Sequence, residues 1–150
     1  MSPTHYRALA FSLLVLSTGC SSAPPQPPPE DPAGGQLRKI GLAYMQVANG
    51  TGQPPRTANP IKDALRQMGE ANPDSLLVSP NDGQPFTIVF GFDPRTGDTL
   101  PDSSAPPVIL AYEQTGKDGQ RWVLTTLCFA VRLGAEDFAK ARFANGHTPR

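Results

Sequence analysis

Residues 21–35 read SSAPPQPPPEDPAGG and divide the chain into what can fold and what cannot. Pro24, Pro25, Pro27, Pro28, Pro29 and Pro32 punctuate the stretch, and no apolar residue recurs at a helical or strand period. Such a segment cannot bury enough surface to repay its ordering entropy. Its prolines favour an extended, semi-rigid spacer of about 3.1 Å per residue. Of the 150 residues, those after the spacer suffice for one modest core, expected over 36–150.

Ahead of the spacer stand a leader and a cysteine. Arg7, with His5 near it, supplies a positive start, and residues 8–16 are apolar. That run is far shorter than the roughly 20 residues that span a bilayer. It leads into Leu16-Ser17-Thr18-Gly19-Cys20, which resembles the lipobox of bacterial lipoproteins. The resemblance implies a signal peptide over 1–19, a tether over 20–35 and acylation of Cys20. The alternative is an ordinary secretory peptide with a fortuitous cysteine. Ser21, after the cysteine, resembles lipoproteins released to the outer membrane, where the domain would face the periplasm. An acylated Cys20 leaves Cys128 without a disulfide partner, and its neighbours Leu127 and Phe129 suggest a small buried thiol.

Charge excludes one class of partner. Thirteen basic residues face thirteen acidic ones. A nucleic-acid binder needs a basic patch or stripe, and none is visible. Eighteen prolines and fourteen glycines are too many for a helical bundle.

Periodicity predicts an α+β domain. Leu37, Ile40, Tyr44 and Val47 form one face of a helix over 36–49, with Gly41 placed for a close packing contact. Asn59-Pro60 opens a second helix carrying Ile61, Leu65 and Met68. Leu76, Leu77 and Val78 suggest a small strand. Phe86, Ile88, Phe90 and Phe92 alternate as another, after a turn at Asn81-Asp82-Gly83. Residues 108–112 form a strand, 115–119 a hairpin turn, and 121–133 one long extended run. A last helix is expected over 135–143, with Glu136 and Asp137 at its start and Lys140 and Arg142 near its end. The order is α-α-β-β-β-α: an antiparallel sheet of three to five strands covered on one face by helix.

Three segments carry a further resemblance. Leu37-Arg38-Lys39-Ile40-Gly41-Leu42-Ala43 resembles a segment of planctomycete pilin-like proteins, where it continues the amino-terminal pilin helix. Ser79-Pro80-Asn81-Asp82-Gly83-Gln84-Pro85-Phe86 resembles the turn and strand in the heads of type II secretion pseudopilins. Leu110-Ala111-Tyr112-Glu113, Trp122-Val123-Leu124 and Val131-Arg132-Leu133 resemble the last hairpin of the planctomycete group. The resemblance implies a pseudopilin-head-like fold. Two departures qualify it. A lipobox and proline spacer replace the membrane helix that builds filaments, and Cys128-Phe129 stands where the group carries a turn-forming Asp-Gly.

Chemistry is sparse. His147 is the only histidine after the leader, and it lies near the end, where disorder is common. There is no Gly-x-Ser-x-Gly elbow, P-loop or dinucleotide fingerprint. Asp93, Asp98 and Asp102 are weak calcium candidates, raised by the calcium-binding loop of major pseudopilins. Asp82 with Glu113 or Glu136 is the acid–base pair a carboxylate-based hydrolase would need, although surface carboxylates are the default reading. The expected partner surface is a sheet edge or the face carrying Trp122 and Leu124. The expectation is a non-enzymatic envelope lipoprotein serving a secretion or pilus-like system through other envelope proteins. The alternatives are a stand-alone structural lipoprotein and the hydrolase.

Overall fold

A computed structural model describes residues 31–95 and 107–149. Helix α1 spans Pro32–Thr51 and begins inside the stretch expected to be tether. Asp31 is its N-cap: the carboxylate accepts the Ala33 N–H at 3.0 Å, and Pro32 follows with its φ already helical. Ala-Gly-Gly looks like spacer by composition, yet Ala33 and Gly34 are buried. The folded unit therefore includes Asp31 to Gly35, which composition assigns to the tether.

Helix α2, Ala58–Gln67, lays Ile61, Ala64 and Leu65 into the core beside α1. A single turn, α3 (Pro73–Leu76), replaces the strand expected at 76–78. Asn72 caps it by accepting the Ser75 N–H, and Pro73 starts it, so helix-opening chemistry outweighs the apolar run. Val78 makes only an isolated bridge, with Pro85.

The alternating aromatics also yield less strand than expected. Only Thr87–Ile88 forms a strand, β1. The buried residues are Phe86, Val89 and Phe92, a spacing of three, because the chain leaves the sheet to meet Tyr44. The Tyr44 hydroxyl donates to the Phe92 carbonyl at 3.0 Å and accepts the Phe92 N–H at 2.9 Å. Burial pushes its pKa up to about 12, so the hydroxyl keeps its proton at any ordinary pH.

Strands β2 (Val108–Tyr112), β3 (Gln120–Thr125) and β4 (Ala130–Gly134) form an antiparallel meander in the order β1-β2-β3-β4. The run expected over 121–133 is thus a hairpin. A short β5, Arg142–Phe143, pairs in parallel with Val108 and Ile109, while β1 pairs with Ala111 and Tyr112. The two short strands share one edge of β2. Helix α4, Ala135–Lys140, ends earlier than expected because Phe143 is drawn into that edge. The architecture is α+β with a mainly antiparallel five-stranded sheet among the described residues.

Both faces of the sheet are covered, not one. Trp122, Leu124 and Ala130 pack under α1 with Leu37, Ile40 and Tyr44. Ile109, Val123, Val131 and Leu133 face the other way, against Phe138 and Phe143. A bulge between Ile109 and Ala111 lets two successive residues of β2, Leu110 and Ala111, join the α1 side. Helix α1 approaches closely because Gly34 meets the Trp122 ring and Gly41 meets Leu124 and the Cys128 sulfur.

Candidate functional site

The segment 79–84 and the β2–β3 hairpin are tied together by two carboxylates. Glu113 is fully buried. Its Oε1 accepts from Ser79 Oγ at 2.5 Å and Asn81 Nδ2 at 2.8 Å, and its Oε2 accepts the Trp122 N–H at 2.7 Å. Asp82 Oδ2 accepts the N–H groups of Thr115 at 2.9 Å and Gly116 at 3.0 Å, and Oδ1 accepts that of Gln84 at 3.0 Å. Partial burial works to raise the Asp82 pKa, but the Gly116, Gln84 and Thr115 amides outweigh it and hold the carboxyl below its ordinary 3.8.

The structure therefore brings Asp82 and Glu113 to the same short segment, where sequence offered no reason to join them. It corrects the expectation that Glu113 is a surface carboxylate. Their geometry is that of a latch. Glu113 is closed to solvent, and both of its oxygens accept from neutral donors. Glu136 stands apart on α4, 3.9 Å from Lys140 in an exposed pair.

The latch gives a pH dependence. A depressed folded-state pKa stabilises the fold above the unfolded value and loses that contribution as pH falls through the folded value. Asp82→Asn should be less stable than wild type at pH 7, with the gap narrowing below pH 3.8. Urea titrations at pH 7 and pH 3 measure this; a gap that widens at acid pH contradicts it.

Beside the latch runs a groove of about 520 Å³, lined by Thr87, Tyr112, Gln114, Thr115 and His147. The Tyr112 hydroxyl and His147 Nε2 lie 2.9 Å apart. Phe138 and Phe143 pack edge-on against the Tyr112 ring. His147 is thus docked, against the expectation of a disordered end. The groove offers hydroxyl, amide and imidazole groups to a polar ligand. No sequence period signals it, because its parts come from β1, β2, the hairpin and the C-terminal segment.

The other expected site residues fall differently. Leu124 is 0% exposed and Trp122 is half-buried under α1, so this pair is core rather than partner surface. The two share a face of β3, and the close approach of α1 at Gly34 and Gly41 covers it. Asp93 is gripped by Arg95, with bonds of 2.9 Å from Nε and 2.8 Å from Nη2, and that guanidinium holds its pKa down to about 2. Arg95 also donates to the Gly52 carbonyl at the end of α1, so the pair clasps a loop to a helix. Asp98 and Asp102, the other calcium candidates, and Cys20, the acylation candidate, lie outside the described residues. Among the described residues no group of three or more His, Cys, Asp or Glu side chains could hold a metal. Cys128 is partly buried, and burial raises its thiol pKa.

Comparison with known proteins finds no family model, curated protein or solved structure that matches the chain.

Proposed function

We propose that this chain is an envelope lipoprotein, anchored by acyl groups on Cys20, whose α+β domain is a non-enzymatic protein-binding module of a secretion or pilus-like apparatus. The observation that carries the reading is the junction at Asp31. The proline spacer ends where Asp31 caps α1, and the same carboxylate pairs with Arg132 on β4. Arg132 in turn lies over the Trp122 ring, 5.1 Å from its centroid. Burial raises the Asp31 pKa, but the Ala33 N–H, the neighbouring indole and the Arg132 guanidinium bring it below the ordinary value. The indole acts through proximity, since its buried N–H makes no well-formed hydrogen bond. A pull on the spacer is thereby passed to the sheet, as a tethered head requires.

The order of elements also supports the reading. A long N-terminal helix against an antiparallel meander is the head-like arrangement that the three resembling segments imply. No helix among the described residues is long and apolar enough to cross a membrane. An acyl anchor would do that work, and two chains hold stably where one is marginal. Strand β4 ends the order of the sheet, and such an edge can pair with an extended segment of a partner.

Radiolabelled palmitate should enter the wild-type protein and not Cys20→Ser, with the variant moving from the membrane to the soluble fraction. Equal labelling of both proteins would sink the anchor. Capture from cross-linked membranes should recover a reproducible envelope partner. Repeated capture without one would leave the stand-alone lipoprotein.

A further inference from the structure

We infer that the β3–β4 turn is a second membrane contact, with Leu127 and Phe129 entering the interfacial layer of the bilayer that holds Cys20; this rests on the anchor proposed above. The turn is rigid. The Cys128 N–H donates to the Thr125 carbonyl at 3.0 Å, the Thr125 N–H to the Phe129 carbonyl at 2.9 Å, and the Phe129 N–H to Thr125 Oγ1 at 3.2 Å. Cys128 occupies the left-handed position of this three-residue loop, at φ 62°, where glycine or asparagine is usual.

The thiol faces inward. A Cβ placed on Gly41 would come within 3.3 Å of Sγ, and Thr126 is also buried. The side chains on either side of Cys128 are left outside, with Leu127 40% and Phe129 64% exposed. Leu42, 55% exposed, follows Gly41 in the helix beneath. Turns of this kind ordinarily carry Gly, Asn, Asp or Ser at the tip. This tip carries two large apolar groups on a frame that cannot fold them away.

Two further facts say what covers it. First, residues 122–131 contain no Asp, Glu, Lys or Arg, so placing the tip in lipid desolvates no charge of its own strands. Second, the spacer ends close by. Arg132, which pairs with Asp31, is three positions after Phe129, or about 10 Å at roughly 3.3 Å per residue. The eleven links from Cys20 to Asp31 span at most about 40 Å at roughly 3.6 Å each. The tip therefore lies within the tether's reach of the lipid on Cys20. A short tether gives an effective concentration on the order of millimolar, so a weak contact is enough to populate the docked state.

The test uses the acylated protein in phosphatidylcholine vesicles that contain brominated lipid. Trp122 is the one tryptophan of the chain. In a Trp122→Phe background, Phe129→Trp should be quenched at least threefold more than Gln67→Trp, on the exposed end of α2. In the unmutated protein, amide exchange over 126–129 should slow at least threefold on vesicles relative to Cys20→Ser in solution. That second readout stands even if the tryptophan variants fail to fold. Acylated protein with equal quenching at both positions and unchanged exchange overturns the contact and leaves the anchor intact. Protein without acyl chains on Cys20 overturns both.

Discussion

Alanine in place of Glu113 is expected to lower folding stability by about 4 kcal/mol. The side chain is fully buried and receives hydrogen bonds from Ser79, Asn81 and the Trp122 amide. Truncation leaves those donors facing a cavity, and each buried donor without a partner costs about 1–3 kcal/mol. The full sum is not reached, because a polar cavity of that size can admit water. Glu113→Gln keeps the shape but turns one acceptor into a donor that confronts another donor, for about 1–2 kcal/mol. A domain of this size has roughly 5–15 kcal/mol in total, so the alanine variant should lie close to unfolding at 37 °C. Urea midpoints for the three proteins measure the effect. An alanine variant within 1 kcal/mol of wild type would mean that the latch does not hold the hairpin.

The latch also shows where sequence reading stops. The turn at Asn81-Asp82-Gly83 and the strand over 108–112 are legible from composition and period, and both are present. What binds them is a pairing of side chains 32 and 34 positions apart, which no local pattern encodes. The tyrosine–histidine groove is hidden for the same reason: residues 35 apart meet only when β5 takes the edge of β2.

The hairpin at 125–129 was obscured in another way. Leu127, Cys128 and Phe129 continue an apolar alternation, so the run reads as strand. Cys128 in the left-handed region breaks it, with none of the turn residues that would announce the reversal. The start of α1 was masked by the opposite bias. Pro32, Gly34 and Gly35 read as spacer, although Asp31-Pro32 is a good N-cap and first helical residue. The close contact expected of Gly41 is present, against Leu124 and Cys128. Gly34 is a glycine of the same kind, and its close contact seats Trp122 under the helix.

Gly34→Val is expected to cost about 2–3 kcal/mol, and Gly50→Ala to gain about 0.5–1 kcal/mol. Both glycines lie within α1, where removing glycine ordinarily helps by up to about 1 kcal/mol. Packing decides the difference. A Cβ at position 34 would lie 2.9 Å from two carbons of the Trp122 ring, closer than real side chains approach. That ring has little room to yield, since α1 lies on one face of its strand and Arg132 covers it. Overpacking of this kind typically costs 1–3 kcal/mol, and valine adds branching at the contact. Position 50 has nothing within 4 Å of its Cβ, so only the gain in helix propensity remains. Thermal or urea unfolding of the two variants beside wild type reads the opposite signs directly. Two shifts of the same sign would show that the closeness of α1 to β3 does not govern how the helix seats. The displaced indole should also loosen the Asp31–Arg132 pair, so Gly34→Val should speed amide exchange at Ala33 more than at Ile61 on α2. Uniform acceleration at both sites would reassign the loss to global stability alone.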